Sequence, residues 1–289
     1  MKIRKAVFPV AGLGVRFIPA TKFMPKEMLP IVDKPIVQYA VEEAFDAGIE
    51  EIIFVNSERK KGLEKHFKND PELEKFLKDK GKHDLLKQVK EIVPKHGKIK
   101  FVIQDQPLGL GHAIWCAKDI VGNEPFAVIL ADDVIQNKVS ALSQMVEQFN
   151  EFKSSIIAAM EVEKNQTNKY GILDFKDKGT DIFKIKGMVE KPSPDKAPSN
   201  FAVVGRYILT PEIFDFLEKK KIGAGGEIQL TDAIAELLDI QSVYGYKFKG
   251  TRFDCGDKAG YQMANLAFTM ERPELKDKML KFIKKIIDQ

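Results

Sequence analysis

Residues 5–30 read KAVFPVAGLGVRFIPATKFMPKEMLP, and this stretch decides how the rest of the sequence is interpreted. An apolar run leads into a turn that contains Gly12 and Gly14, which is typical of a β-strand that ends in an anion-binding loop. The turn continues to Arg16 and Lys26, with two prolines between them. A guanidinium and an ammonium are the cations expected beside a triphosphate, and the prolines reduce the entropy lost on binding. We therefore predict a phosphate-binding loop; a surface turn with solvated charges is the alternative.

Two common nucleotide-binding motifs do not fit this loop. A dinucleotide fingerprint needs a third glycine, but Phe17 stands at that position and Pro19 follows it. A P-loop needs Gly-Lys-Ser/Thr after its spacer, and the loop has no such sequence. A nicotinamide-dependent oxidoreductase also needs an acidic residue where the second strand ends, but Asn56 and Ser57 stand there and Glu58 lies beyond. The sequence therefore argues against the oxidoreductase class.

Short apolar runs alternate with helical patterns along the first half of the chain. The strand patterns cover residues 5–10, 50–56, 98–104, 125–132 and 154–162, and the helical patterns cover residues 35–48, 109–122 and 139–152. This alternation implies parallel strands joined by right-handed crossovers, with helices on both faces of the sheet. We predict an α/β fold with a doubly wound, mainly parallel, Rossmann-like sheet.

Three other regions have different patterns. A charge-dense helical stretch predicts an insertion at the edge of the sheet, and from about residue 165 short strands with tight turns predict a smaller β lobe. The chain ends in an amphipathic helical pattern, which is more typical of a docking or oligomer helix than of membrane attachment. We divide one domain, residues 1–289, into a first part (1–160, with the insertion at 58–98), a second part (161–260) and a C-terminal helix (261–289).

The composition limits the class of protein and its partners. The chain has 289 residues, of which 44% are hydrophobic and 30% charged, as in a globular protein with a sizeable core. The net charge of +4 comes from 46 basic and 42 acidic residues spread along the chain, so we expect no nucleic-acid partner. Cys116 and Cys255 form no metal or disulfide pattern, which favours a cytoplasmic setting. We also expect no membrane span, because every apolar run is too short.

The segment GLGVRFIPATKFMPKEMLPIVDKPIVQY, residues 12–39, resembles the signature loop of the sugar-nucleotide pyrophosphorylases. Six further segments follow in the family's order: QDQPLGLGHAIWCA, ILADDV, YGIL, VEKP, GEIQLTDAI and FDCGDKAGY. The resemblance implies the nucleotide-diphospho-sugar transferase fold, with a mixed sheet, a nucleotide-binding first part and a sugar-binding second part. One departure is Val15, where many members carry threonine, so backbone N–H groups must replace any hydroxyl contact to phosphate.

The resemblance is strongest to the uridylyl-transferring members of this family. It implies that UTP and glucose 1-phosphate react to give UDP-glucose and pyrophosphate, with Mg²⁺ as cofactor. Arg16 and Lys26 would hold the triphosphate and the departing pyrophosphate, with Gly14 in the same loop. Because sugar phosphates are already ionised and the sequence contains no GxSxG nucleophile elbow, neither a general base nor a covalent intermediate is expected.

The segment QDQPLGLGHA, which follows a strand and opens a helix, is a candidate base site. The amide of Gln104 can both donate and accept at a pyrimidine edge, and glycines let a flat base approach the backbone. A plain strand-to-helix turn is the alternative. The resemblance makes Gln104 and Gly109 uracil contacts, together with the backbone of Ala11 and Gly12.

The segment ILADDV places two acidic residues at the end of an apolar strand, where α/β sheets bind ligands. Neighbouring carboxylates on a strand point to opposite sides, so we expect one of them to face the site; an acidic turn is the alternative. A second carboxylate comes from FDCGD, and Mg²⁺ prefers such hard oxygen ligands completed by phosphate and water. By resemblance, Asp132 and Asp254 are the metal pair, and Asp133 and Asp257 are weaker candidates.

The second part of the chain supplies the candidate sugar residues. In VEKP, the carboxylate of Glu190 can accept from two sugar hydroxyls, and Lys191 can hold the sugar phosphate; a solvated ion pair is the alternative. By resemblance, Glu190 and Lys191 take these roles and Gly171 of YGIL allows close approach of the hexose. Val204 and Gly205 of FAVVGRY are expected to complete the sugar wall.

Other functions stay open at this point. Thymidylyl-transferring and other sugar-1-phosphate nucleotidyltransferases share the phosphate machinery, so physics alone does not fix the base and the sugar. A sugar-nucleotide-binding regulatory protein could keep the fold without catalysis, although the acidic pair, Lys26 and Lys191 argue against it. The C-terminal amphipathic helix suggests a homodimer or homotetramer.

Overall fold

A computed structural model describes residues 2–60, 62–94, 97–175 and 181–288. Within these ranges the chain forms thirteen strands and eleven α-helices. In chain order they are β1 (Lys5–Pro9), β2 (Pro30–Ile31), β3 (Lys34–Pro35), α1 (Ile36–Asp46), β4 (Glu51–Asn56), α2 (Gly62–His66), α3 (Pro71–Asp79), α4 (His83–Ile92), β5 (Lys98–Ile103), α5 (Leu110–Trp115), α6 (Lys118–Val121), β6 (Phe126–Ile129), β7 (Asp133–Gln136), α7 (Ala141–Phe152), β8 (Ser155–Glu161), β9 (Gly171–Phe175), β10 (Ile182–Glu190), β11 (Phe201–Leu209), α8 (Ile213–Leu217), α9 (Leu230–Leu237), β12 (Val243–Lys247), β13 (Thr251–Asp254), α10 (Lys258–Met270) and α11 (Pro273–Ile287).

A nine-stranded sheet organises the molecule, in the order β5-β4-β1-β6-β11-β8-β12-β10-β9. At one end, β5, β4, β1 and β6 are parallel neighbours, as the alternating pattern predicts. Successive residues of β1 face opposite sides: Val7 packs in the core on one face, and Ala6 and Phe8 pack in the core on the other. The predicted α/β class, with both faces of the sheet covered, is confirmed.

The other end of the sheet is mixed. Strand β11 runs antiparallel to β6 and β8, whereas β12 is parallel to β8. Strand β9 also pairs with β11 at Ile172 and Ala202, so this end of the sheet curls back on itself. The predicted first and second parts therefore share one sheet, and the curl creates a concave surface beside the ends of the parallel strands.

The predicted insertion, residues 58–98, contains the helices α2, α3 and α4, and its last residue, Lys98, begins the edge strand β5. Its helices α3 and α4 are amphipathic, and Asp70 caps α3 by accepting from the N–H of Leu73 at 3.0 Å. Residues 61, 95 and 96 of this prediction lie outside the described residues. Among the described helices, none combines the length and the apolar character that a membrane crossing requires.

Candidate functional site

The parallel strands bring their carboxyl ends to one edge of the sheet, as such topologies require. A cavity of about 650 Å³ opens there, a volume typical of small-ligand sites. We call it the glycine-loop cavity. Its wall includes most of the predicted nucleotide residues: Ala11, Gly12, Lys26, Gln104, Gly109 and Asp132.

A second cavity of about 230 Å³ lies beside the first, within the curl of the antiparallel strands. We call it the Glu190 cavity, and Gly171, Glu190, Gly205 and Asp254 border it. Asp132 borders both cavities. A ligand in one cavity and a ligand in the other would therefore meet at this carboxylate.

The glycine loop is held in a fixed shape by its own contacts. Gly14 has a φ of +66°, a conformation that favours glycine, and a Cβ there would lie 3.0 Å from the Cβ of Lys26. The hydroxyl of Thr21 donates to the carbonyl of Gly14 at 2.7 Å. Val15 is 63% exposed, so its side chain contributes little packing to the shape of the loop at this position.

The ammonium of Lys26 contacts the carboxylate of Asp132, so the structure brings these two predicted residues together. Burial disfavours the charged lysine, but the carboxylates of Asp132 and Glu27 outweigh it and raise the pKa of Lys26. Burial also opposes the charge of Asp132, yet the Lys26 ammonium lowers the pKa of this carboxyl. Both groups are therefore charged at neutral pH, as phosphate binding and metal binding require.

Arg16 lies nearby, at the edge of the acidic pair rather than in the wall of the glycine-loop cavity. Its side chain is exposed and donates to the carbonyl of Gly256 at 3.4 Å. A Cβ on Gly256 would lie 2.9 Å from Oδ2 of Asp132 and 3.1 Å from Oδ1 of Asp254. The two predicted metal ligands thus converge on one point, beside which Arg16 is held.

The residues present suit a hard divalent cation. Asp132 and Asp254 offer two converging carboxylates, and both border the Glu190 cavity. The described residues contain no cluster of three or more His, Cys, Asp or Glu side chains that could hold a metal ion. Mg²⁺ is commonly held by one or two carboxylates with phosphate and water completing the octahedron, so a pair of carboxylates is a sufficient protein contribution.

Asp133 and Asp257, the weaker metal candidates, have structural partners. Asp133 forms a salt bridge with Arg252 and accepts from the N–H of Gly205 at 2.7 Å. Asp257 is the N-cap of α10, where Oδ2 accepts from the N–H of Ala259 at 2.9 Å. These bonds account for both carboxylates without a metal.

Gln104 and Gly109 lie side by side in the wall of the glycine-loop cavity. The amide nitrogen of Gln104 donates to the carbonyl of Gly109 at 3.2 Å and contacts Nδ1 of His112 at 3.0 Å. These contacts hold the side chain and leave its amide oxygen as an acceptor for a ligand. Gly109 has an additional reason to be glycine, because its φ is +104° and a Cβ would lie 2.9 Å from the carbonyl oxygen of Ile228.

The predicted sugar residues of β9 and β10 meet in the Glu190 cavity. A Cβ on Gly171 would lie 2.9 Å from Cγ2 of Thr231 and 3.3 Å from Oε2 of Glu190, so this position leaves room only for hydrogen. Lys191 lies at the rim, with an exposed side chain whose ammonium is 3.3 Å from Oε1 of Glu190. Its reach toward a sugar phosphate stays a prediction.

The predicted wall residues of β11 differ in where they point. Gly205 borders the Glu190 cavity, and a Cβ there would clash with Asp133 Oδ2 at 2.6 Å. The side chain of Val204 is 1% exposed and packs in the core on the opposite face of the sheet. Val203 borders the cavity instead, because successive side chains alternate along a strand. The expectation for Val204 is therefore corrected: only its backbone can contribute to the wall.

Sequence reasoning missed several side chains of the two cavities. Arg252 bridges Asp133 and Asp254, and its Nη1 donates to the hydroxyl of Tyr170 at 3.2 Å. A signal for Arg252 exists, because it stands two residues before Asp254 on one strand and therefore shares its face. The buried hydroxyl of Thr231 borders the Glu190 cavity and has no hydrogen-bond partner among the described residues.

The turn after β4 is a further missed element. Ser57 and Arg59 border the glycine-loop cavity, and the Ser57 hydroxyl is buried without a hydrogen-bond partner in the described part of the chain. The sequence signal there, a short basic cluster, is the same as that of a solvated surface.

Known proteins are similar to this chain in sequence. The family model for nucleotidyl transferases matches residues 5–271. The chain is 48% identical over 288 residues to a UTP–glucose-1-phosphate uridylyltransferase of Bacillus subtilis (strain 168), which covers 100% of this chain and 98% of the relative.

Two solved structures are also similar. A UTP-bound UGPase from Acinetobacter baumannii superposes with a TM-score of 0.91 at 43% identity, covering 97% of this chain and 98% of its own. A UDP-glucose pyrophosphorylase complexed with UDP-glucose gives a TM-score of 0.86 at 44% identity, covering 93% of this chain and 100% of its own.

Proposed function

We propose that this chain, which belongs to the nucleotidyl transferase family, transfers the uridylyl group of UTP to glucose 1-phosphate. The products are UDP-glucose and pyrophosphate. Relatives along the full length carry the name of this activity, and solved structures of similar fold are described with UTP and with UDP-glucose.

One observation carries the proposal: Lys26 contacts Asp132 at the wall that the two cavities share. A triphosphate in the glycine-loop cavity and a sugar phosphate in the Glu190 cavity would bring their reacting ends to this wall. Holding two reactants in this way supplies much of the rate of a phosphoryl-type transfer, because the reaction needs little covalent help from the protein.

In the proposed reaction, a phosphate oxygen of glucose 1-phosphate attacks the α-phosphorus of UTP in line. A new phosphorus–oxygen bond forms, the bond between the α-phosphorus and its bridging oxygen breaks, and pyrophosphate leaves with the electron pair. Lys26 and Arg16 would neutralise the triphosphate, and Lys191 would steer the attacking phosphate. The attacking oxygen is already ionised, so no side chain has to remove a proton.

Asp132 and Asp254 would hold Mg²⁺ in this proposal. When bound, the ion would supply positive charge that offsets the negative charge developing on the phosphates. The convergence of Asp132 Oδ2 and Asp254 Oδ1 beside Gly256 supports this role, because a single cation could contact both carboxylates.

A comparison of nucleotides tests the proposal. UTP, dTTP, CTP and ATP are offered in turn with glucose 1-phosphate and Mg²⁺, and pyrophosphate release is measured. We expect UTP to be the best donor by at least about tenfold in kcat/KM, roughly 1.4 kcal/mol of discrimination. A better rate with dTTP would identify a thymidylyl-transferring enzyme, and no release with any nucleotide would favour a regulatory protein.

We also propose a cytoplasmic location and self-association. Both cysteines, Cys116 and Cys255, are free thiols, which suits a reducing compartment. Helix α11 exposes Phe282 and Ile287, which are 57% and 76% exposed, and a homodimer or homotetramer would cover such side chains. Light scattering of the wild type and of Phe282→Glu tests the assembly; a wild-type mass of one chain would contradict it.

A further inference from the structure

A buried ion pair lies at the wall of the glycine-loop cavity, with Glu27 bordering the cavity and Lys60 behind it. Lys60 is 6% exposed and Glu27 is 2% exposed. The lysine ammonium contacts Oε2 of Glu27 at 2.8 Å and Oε1 at 3.1 Å. It also donates to the carbonyl of Val10 at 2.7 Å.

These contacts join three walls of one cavity. Val10 follows β1 and directly precedes Ala11, a cavity residue. Glu27 directly follows Lys26 in the phosphate-binding loop. Lys60 ends the turn after β4, where its N–H donates to the carbonyl of Ser57 at 2.9 Å. One ammonium therefore ties together the glycine turn, the loop that carries Lys26 and the turn that carries Ser57.

Stability alone does not account for this arrangement. Burial raises the pKa of Glu27 and lowers the pKa of Lys60, so each charge depends on the other. Well-packed apolar residues often replace a buried ion pair without loss of stability. An apolar pair, however, could not donate to the Val10 carbonyl, and it could not fix the orientation of two loops with directed hydrogen bonds.

We propose that Lys60 is a positioning residue for the nucleotide, holding the backbone at Val10 and the loop at Glu27 so that Ala11, Gly12 and Lys26 face the nucleotide together. This inference rests on the proposed function for its substrate, but its physical claim concerns the shape of one cavity. Lys60 lies behind the wall and acts through these residues; it does not touch the reacting atoms. Replacing Lys60 should therefore weaken the binding of UTP and leave the binding of glucose 1-phosphate unchanged.

The test compares Lys60→Met with a matched variant, Lys5→Met. Lys5 lies at the opposite end of β1, where its ammonium also contacts backbone carbonyls, Ile120 at 3.0 Å and Val121 at 2.9 Å, and the carboxylate of Glu124. Because a misplacement near 1 Å can cost about 10²-fold, we expect Lys60→Met to lower kcat/KM for UTP by about 10- to 100-fold. KM for glucose 1-phosphate should stay within about twofold, and Lys5→Met should change only the melting temperature.

Calorimetric titration with UTP in the absence of the sugar separates this inference from the proposed function. Weakened UTP binding by Lys60→Met supports a positioning role even if the wild type releases no pyrophosphate with glucose 1-phosphate. If the wild type prefers another nucleotide, the titration is carried out with that nucleotide in place of UTP, because the loop is proposed to bind the phosphates that all four nucleotides share. Should Lys60→Met melt lower, like Lys5→Met, and yet bind UTP like the wild type, Lys60 is only structural.

A second variant covers the case in which Lys60→Met does not fold, because it leaves Glu27 buried without a counter-ion. The double variant Lys60→Met/Glu27→Gln removes both charges together. We expect it to fold and to retain the weakened UTP binding, because the donor to the Val10 carbonyl is still missing. Wild-type UTP affinity in the double variant would overturn the proposal.

Discussion

The two cavities that meet at Asp132 present their polar groups in opposite ways. The parallel strands β1, β4 and β5 end side by side at the glycine-loop cavity, and residues without a long side chain, such as Ala11 and Gly12, form part of its wall. Around the Glu190 cavity the neighbouring strands are mostly antiparallel, and polar side chains already bond to one another, as Arg252 does with Asp133. The glycine-loop cavity presents backbone groups and cations that suit any nucleoside triphosphate. The shape of the Glu190 cavity, in contrast, depends on individual side chains and on the bonds between them.

This contrast predicts a division of effects between the two halves of the site. Changes to the cations and carboxylates at the shared wall should lower turnover. Changes confined to the Glu190 cavity should alter KM for the sugar phosphate, and changes to the base contacts should alter the choice of nucleotide.

Lys26→Ala should have the largest effect, because it removes a charge from the wall where the two ligands meet. Loss of one group that stabilises transition-state charge commonly costs about 10² to 10³ in kcat. Pyrophosphate release under saturating substrates measures the change, and differential scanning fluorimetry measures the stability.

Lys22→Ala is the matched control for this change. Lys22 is an exposed lysine of the same loop, with its ammonium 5.3 Å from the ring of Phe23. It should keep turnover within about twofold, as expected for a surface residue. Full activity of Lys26→Ala would remove the proposed role of this lysine.

Asp254→Asn should have the next largest effect, on the response to Mg²⁺. The loss of one of two protein carboxylates should raise the half-saturating Mg²⁺ concentration by about 10- to 100-fold, since even outer partners of a metal are worth that much. Activity as a function of Mg²⁺ concentration provides the measurement.

The companion variant Asp257→Ala separates a metal ligand from a helix cap. It removes the acceptor for the N–H of Ala259 and should lower the free energy of unfolding by about 1 kcal/mol, the usual cost of an N-cap. Its Mg²⁺ response should equal that of the wild type. If Asp257→Ala shifts the Mg²⁺ response and Asp254→Asn does not, the metal pair has been assigned incorrectly.

The glycine-loop cavity contains both residues that the sequence predicts and residues that it does not. A turn after an apolar run predicts Gly12 and Lys26, and the end of an apolar strand predicts one acidic residue in the site, because those signals are local; the choice of Asp132 comes from the family resemblance. Lys60 had no such signal: it stands in a basic cluster, and only the folded chain shows that its ammonium reaches Glu27 and Val10.

The Glu190 half was less accessible from the sequence. Family resemblance, rather than the local sequence, predicts Glu190 and Gly171 as site residues, because a single Glu-Lys pair equally indicates a solvated surface. Val204 was expected in the wall, but side chains alternate along a strand, so its side chain packs in the core and the side chain of Val203 borders the cavity. Bonds between distant segments, such as Arg252 with Tyr170, depend on the curl of the sheet and leave no mark in the local sequence.

Gly171→Ala sharpens the sugar side of the comparison. Its new methyl group would lie 2.9 Å from Cγ2 of Thr231 and 3.3 Å from Oε2 of Glu190. Such overpacking displaces the carboxylate, so KM for glucose 1-phosphate should rise by about tenfold, while KM for UTP stays unchanged. Steady-state kinetics with each substrate varied in turn makes the measurement.

Gly187→Ala serves as the control on the neighbouring strand. A Cβ at Gly187 would meet Cβ of Asp174 at an ordinary 3.6 Å, so both KM values should stay at the wild-type level. An equal rise in both KM values for Gly171→Ala would mean that the two cavities do not divide the substrates as proposed.

Gln104→Leu should have the smallest effect and tests whether the glycine-loop cavity reads the base at all. If the amide oxygen of Gln104 accepts from the base, its loss removes one hydrogen bond worth about 1 kcal/mol, so the preference for UTP over CTP should fall about fivefold.

Gln144→Leu is the control, because Gln144 is also 7% exposed but donates to the carbonyls of Val139 and Lys249, outside the residues that border this cavity. The ratio of kcat/KM for the two nucleotides isolates the base from the phosphates, which are identical in UTP and CTP. An unchanged ratio in Gln104→Leu would move base recognition to other groups of the cavity wall, among which the buried hydroxyl of Ser57 is the first to examine.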